Sequence, residues 1–262
     1  MQGSVKLRLL CGFFLLLPSI TIMAASDLER EQRLEDEIVD AILDGDPLDL
    51  PRGDGGDFLG IYTETDADKP KGAVIILHGR GYHPDWAYTV QPLRVGLIDY
   101  GWNTLSIQLP VLKKEAKYFD YVPIFPEAYP RIESAISYLK EQGNEQIVLI
   151  AHSCGAHMAN FWLDDVGHEN IDAYVGLGMG ATDYQQPMVR DFPLDKLKIP
   201  VLDLYGEHDY PAVHRYAPLR KMMIEAGGNP KSSQQVLPEA DHYFTYRGDE
   251  LIEAVGNWLD TL

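Results

Sequence analysis

A serine hydroxyl becomes a nucleophile only when a base takes its proton, and Ser153, Asp209 and His242 supply the three side-chain types that such an arrangement needs. Ser153 sits in Ala151-His152-Ser153-Cys154-Gly155, a G-x-S-x-G pattern with alanine in place of the first glycine. Ala151 and Gly155 keep both flanks small, as a sharp strand-to-helix turn requires if the hydroxyl is to project clear of the backbone. The pentapeptide by itself is weak, because small residues are common enough for chance matches. Its setting is stronger: the apolar run Ile147 to Ile150 leads into it and a helical stretch from Ala156 to Leu163 follows.

Attack on a carbonyl places negative charge on oxygen, which fixed N–H donors must stabilise. The backbone N–H of Cys154 and that of Arg80, in the turn His78-Gly79-Arg80-Gly81, are the donors expected. Gly79 and Gly81 allow close backbone approach there, although the same four residues also read as an ordinary glycine turn. The Arg80 side chain faces either substrate or solvent. His242, in Glu239-Ala240-Asp241-His242-Tyr243-Phe244, is the expected general base. Asp209 is the acid that orients it, with Glu207 as the rival carboxylate. The seven other histidines suit surface or packing roles. Cys154, a thiol beside the elbow tip, is expected to point away from the reaction.

Short β-branched runs alternate with helical stretches after residue 55, which reads as a parallel α/β sheet. Strands are expected at Phe58 to Thr63, Ala73 to Leu77, Asn103 to Gln108, Gln146 to Ile150, Ala173 to Leu177, Val201 to Tyr205 and Gln234 to Leu237. Helices are expected over Thr89 to Asp99, around Ile132 to Leu139 and around Leu251 to Leu259. Asp27 to Leu43 reads as an edge helix through Leu34, Ile38, Ala41 and Ile42, and Asp46 to Gly56 as a linker. The order Ser153, Asp209, His242, each residue after its own strand, is a signal independent of the pentapeptide.

The expected organisation is a signal peptide over 1–25, a helix and linker over 26–56, and one domain over 57–262. Lys6 and Arg8 precede an apolar run from Leu9 to Met23 that ends at Ala24 and Ala25. That pattern reads as a secretory signal cleaved near Ala24 or Ala25, giving a periplasmic or secreted protein without a membrane span. Cleavage removes two cations and no acid, so the formal charge moves from −18 to −20. Such a surface disfavours nucleic acid and anionic lipid as partners and leaves a small ester-like molecule as the expected one. Cys11 departs with the signal, so Cys154 has no disulfide partner within the chain. No metal-ligand spacing and no phosphate-binding glycine loop is present, and no cofactor is expected.

Through Leu77-His78-Gly79-Arg80-Gly81, the Ser153 elbow, Gly206 to Asp209 and Asp241-His242, the chain resembles the α/β-hydrolase superfamily from Phe58 to Leu262. Within it, His78-Gly79-Arg80-Gly81-Tyr82-His83-Pro84-Asp85-Trp86 and Leu202-Asp203-Leu204-Tyr205-Gly206 look like a group of exported bacterial serine hydrolases, similar to esterases and dienelactone hydrolases. The resemblance implies a mostly parallel sheet of about eight strands with helices on both faces and the reacting groups at the strands' carboxyl ends. With only Gly178 to Lys198 available after the sixth strand, no large cap is expected. Tyr184, Pro187, Met188 and Phe192 there, and Tyr118, Phe119, Tyr121 and Phe125 in the loop from Val111 to Phe125, either wall the pocket or cover the core. The leading activity is carboxylic ester, thioester or lactone hydrolysis through an acyl-enzyme. An envelope amidase or peptidase with the same residues, or a noncatalytic binding protein that kept the fold, are the alternatives.

Overall fold

The structure, a computed structural model, describes residues 25–183 and 186–262. The expected signal segment lies outside the described residues apart from Ala25, and so does Tyr184. No helix among the described residues is long and apolar enough to cross a membrane.

Strands with both faces buried build the centre of the sheet: β3 (Gly72–Leu77), β4 (Trp102–Ile107), β5 (Ile147–His152) and β6 (Ala173–Leu177) are buried at every position. The remaining strands are β1 (Asp46–Pro51), β2 (Asp57–Thr63), β7 (Val201–His208) and β8 (Ser233–Asp241). They form one 8-stranded sheet in the order β1-β2-β4-β3-β5-β6-β7-β8. β1 and β2 run antiparallel to their neighbours, and every other pairing is parallel. This is the α/β-hydrolase fold.

Alternation along β3 divides the core. Ala73, Ile75 and Leu77 face one apolar layer with α4 (Tyr129–Glu141) and α5 (Cys154–Asp165). Val74 and Ile76 face the other, with α2 (Val90–Gly96) and α7 (Gly248–Leu259). The winding reverses at β3, which lies between β4 and β5, so the loops leaving β3 and β5 diverge and open a crevice at their carboxyl ends. Gly79 to Gly81 and Ser153 stand at that crevice.

Three elements depart from the sequence expectation. The segment expected as a linker contains β1, paired residue for residue with β2 from Asp46↔Tyr62 to Pro51↔Asp57. The edge helix forms as α1 (Leu28–Ile38), but its one buried residue is Glu31, so polar contacts rather than an apolar stripe fasten it. Between β7 and β8 lies α6 (Pro211–Gly227), which the sequence reading did not include. As expected, no helix interrupts the described part of the connection from β6 to β7.

Candidate active site

The turn after β5 holds Ser153 at φ 54, ψ −116, a conformation that lifts its side chain out of the strand direction as α5 begins. A close approach requires a small residue beside it. A Cβ on Gly155 would lie 2.4 Å from the His78 carbonyl oxygen, so the start of α5 can lie against the β3 turn only with glycine there. Ala151 pairs with both Leu77 and Gly176 in the middle of the sheet.

Register brings the other two groups together. β7 and β8 run further than the sequence suggested, and His208 of β7 pairs with Asp241 of β8 across a bulge. The next residue on each strand is therefore Asp209 or His242. His242 Nδ1–H donates to Asp209 Oδ1 at 2.6 Å, and Ser153 Oγ–H donates to His242 Nε2 at 2.8 Å. The proton positions follow from the carboxylate, which can only accept. All three side chains are buried. Asp209 Oδ1 also accepts the Tyr210 N–H at 2.6 Å. Glu207, the rival acid, is exposed and accepts from the Glu239 N–H instead.

Gly178, after β6, closes the back of this pair. Its φ is +57, and a Cβ there would meet His242 Cε1 at 2.9 Å and Asp209 Oδ2 at 3.2 Å.

The turn carrying Gly79 to Gly81 is held by a neutral histidine. Leu109 N–H donates to His78 Nε2 at 2.9 Å, which leaves the proton on Nδ1 to donate to Gly79 O at 2.7 Å. Burial pushes His78 down to about 3, consistent with this neutral tautomer. From outside, Arg30 of α1 donates to Gly81 O at 3.0 Å and to Leu112 O. Among the described residues neither the Arg80 nor the Cys154 backbone N–H has a protein acceptor, and both residues line the cleft above Ser153. The Arg80 side chain is bound to Asp183 through two hydrogen bonds of 2.9 and 3.2 Å.

Cys154 also borders the cleft, contrary to the expectation that it turns away. Burial pushes its thiol up to about 12, so it is protonated at neutral pH and a poor competitor for Ser153. His152 donates from Nε2 to the His242 carbonyl at 2.9 Å, and burial followed by the nearby His242 pushes it down to about 3.

The cleft encloses about 50 Å³. Of the aromatic residues expected to wall it, Tyr118 does so, while Tyr121, Phe125 and Phe192 belong to the core and Phe119 is exposed. Tyr82, Tyr210 and Tyr243 line it too, and only their nearness to Gly81, Asp209 and His242 marked them in the sequence.

A sequence family described as "Protein of unknown function (DUF3530)" matches residues 25–120 and 127–261. No curated protein matches the sequence. Among solved structures, Est1E from Butyrivibrio proteoclasticus superposes with a TM-score of 0.61 at 17% identity, covering 82% of this chain and 97% of that one. An esterase of Pyrococcus furiosus gives 0.63 at 19% identity over 83% and 91%. A serine hydrolase without lid from Xanthomonas campestris gives 0.62 at 13% identity over 84% and 95%.

Proposed function

The chain belongs to the DUF3530 family, and we propose that it is a serine hydrolase that cleaves carboxylic esters through an acyl-enzyme on Ser153. The observation that carries this reading is the unbroken hydrogen-bond chain from Ser153 Oγ through His242 to Asp209, with steps of 2.8 and 2.6 Å. The similarity in fold to proteins described as esterases and serine hydrolases supports it.

In this reading Ser153 Oγ attacks the ester carbonyl as His242 Nε2 takes its proton. The oxyanion accepts from the Arg80 and Cys154 N–H groups. Collapse breaks the bond to the alcohol, whose oxygen leaves with the proton from His242. Water then attacks the acyl carbon, again deprotonated by His242, and the carboxylic acid departs as Ser153 recovers its proton. Asp209 keeps the imidazole in the tautomer that accepts at Nε2 and stabilises the cation formed between steps. Export belongs to the same reading: residues 1–25 have the pattern of a secretory signal, and the intact mass of the mature protein tests it by the loss of those residues.

The direct test is mass spectrometry after a fluorophosphonate probe. Labelling at Ser153 that disappears in Ser153→Ala and slows in His242→Ala is expected. A folded protein that takes no label would overturn the reading.

A further inference from the structure

Resting on that reading, the site also indicates which ester it takes, because the two halves of an ester leave Ser153 in different directions. His242 must reach the leaving oxygen to protonate it, so the alcohol lies on the His242 side of the cleft. That side is aromatic. The Tyr210 ring stacks on the imidazole with centroids 4.3 Å apart and planes 25° apart, yet Tyr210 remains 41% exposed. Tyr243 stands edge-on to Tyr210 at 6.1 Å, and Tyr82 edge-on to Tyr243 at 5.8 Å.

The Tyr210 and Tyr243 hydroxyls share a hydrogen bond of 2.8 Å in an exposed position. One donates and the other accepts, and the Tyr82 hydroxyl adjoins Tyr243 as well, so the three hydroxyls keep at least one unshared O–H and unused lone pairs. A plain aromatic alcohol would use the ring face and waste these groups. A saturated ring with C–H bonds on its face and hydroxyls on its rim uses both.

The acyl half of the ester is left the rest of the cleft. Tyr118, Ala181 and Thr182 border it, and Ala181 is held by a hydrogen bond of 3.0 Å from His157 Nε2. Arg80 is spent on Asp183 and offers no unpaired cation to an acidic acyl chain. The enclosed space of about 50 Å³ compares with the roughly 300 Å³ or more of sites that engulf a whole ligand. That space is the whole cleft, Tyr82, Tyr210 and Tyr243 included, so it holds little more than the ester group and a short acyl tail, and the alcohol extends over the exposed Tyr210 and Tyr243 hydroxyls.

We propose that the substrate is a short acyl ester, acetyl in size, of a hydroxyl on a carbohydrate ring, with the sugar against the part of Tyr210 that the imidazole leaves exposed and bonded to the Tyr210–Tyr243 hydroxyl pair. The test compares kcat/KM for methyl 6-O-acetylglucopyranoside and 1-O-acetylglycerol, both acetates of primary alcohols. The ring substrate is expected to be favoured about tenfold or more, as one good stacking contact with a hydrogen bond provides. In Tyr210→Leu and Tyr243→Phe that ratio is expected to fall toward one. Replacing acetyl by octanoyl on the same sugar is expected to cost at least about tenfold, the scale of misfit in a closed pocket. Equal rates on ring and linear acetates, a ratio unmoved in Tyr210→Leu, or a preference for octanoyl would each overturn the proposal. Those results would leave fluorophosphonate labelling of Ser153 intact, whereas loss of labelling removes the serine-hydrolase reading and this proposal with it.

Discussion

His242 is confined from three sides, by Asp209 at Nδ1, by the Tyr210 ring over its face and by Gly178 behind Cε1. Each contact fixes a different degree of freedom, and two of them make predictions. An alanine at Gly178 would have to hold φ near +57 and find room 2.9 Å from Cε1. Gly178→Ala is therefore expected to lower kcat by roughly 10 to 100-fold and to cost about 1–2 kcal/mol in a urea titration, the usual scale for a strained non-glycine residue. Full activity in that variant would show that the wall behind the imidazole is soft. Asp209→Asn presents an N–H as readily as an oxygen to Nδ1, which removes the preference for the productive tautomer. A loss of about 10³ to 10⁴ in kcat with little change in thermal stability is expected. A loss under tenfold would move the orienting role elsewhere, with exposed Glu207 the first place to look. The strand-end positions of Ser153 and Asp209 were legible because each follows a short apolar run, Ile147 to Ile150 and Val201 to Tyr205, whereas His242 was placed only by its position after the last expected strand, in a mostly polar segment. Gly178 and Tyr210 were not, since what they touch depends on how β6, β7 and β8 lie side by side.

At the scale of elements, α1 is attached to the domain by charge. Glu31 receives two hydrogen bonds, of 2.8 and 3.2 Å, from Arg131 of α4 and a third from the Val111 N–H at 3.2 Å. Both side chains are buried. A buried pair of this kind adds little net stability over apolar residues of the same size, but breaking it leaves one charge stranded. Glu31→Leu alone is thus expected to cost about 3–5 kcal/mol, and Glu31→Leu with Arg131→Met to recover most of that loss. Additive costs in the urea midpoints of the single and double variants would mean that the charges do not depend on each other. The same chemistry explains which elements the sequence concealed. β1 carries Pro47 and Pro51 with Asp46 and Asp49, a composition that reads as a turn, and it is a strand because an edge strand can leave N–H positions unused. α6 has Pro218 inside it and presents Arg220 inward, where Nε meets the buried Asp203 carboxylate at 2.7 Å and Nη1 meets the Met179 carbonyl at 2.7 Å. A stripe broken by an inward cation carries no clean apolar period. The central strands β3 and β5, by contrast, are apolar on both faces apart from His152 at the end of β5, which is why the parallel sheet could be read directly.

For the molecule as a whole, an acidic surface surrounds an interior that holds neutral histidines, and the two respond to acid in opposite ways. His78, His152 and His157 are each pushed down by burial, to about 3, about 3 and about 4. Their ordinary value is about 6.5. Above that pH both the folded and the unfolded chain hold these rings neutral, and they place no pH dependence on folding. Below it the unfolded chain takes up protons that the folded chain refuses until the pH nears 4 or 3, so stability falls as pH falls through this window. Three such groups together remove roughly 3–4 kcal/mol between pH 6 and pH 5, a large part of the 5–15 kcal/mol that holds a typical domain folded. Surface repulsion works the other way. The formal charge of −18 shrinks as carboxylates protonate, which relieves the folded state, but that contribution is screened by salt whereas exclusion of protons from the core is not. Urea midpoints at pH 7, 6 and 5, at low salt and at high salt, separate the two. The expected result is a steep loss between pH 6 and pH 5 at both salt levels, reduced by about a third in His157→Gln, whose amide can still donate to the Ala181 carbonyl. A stability that stays level from pH 7 to pH 5 would mean that these three rings reach water and take up protons while the chain remains folded. The neutral His78 that holds the Gly79 to Gly81 turn would then have to be abandoned as well.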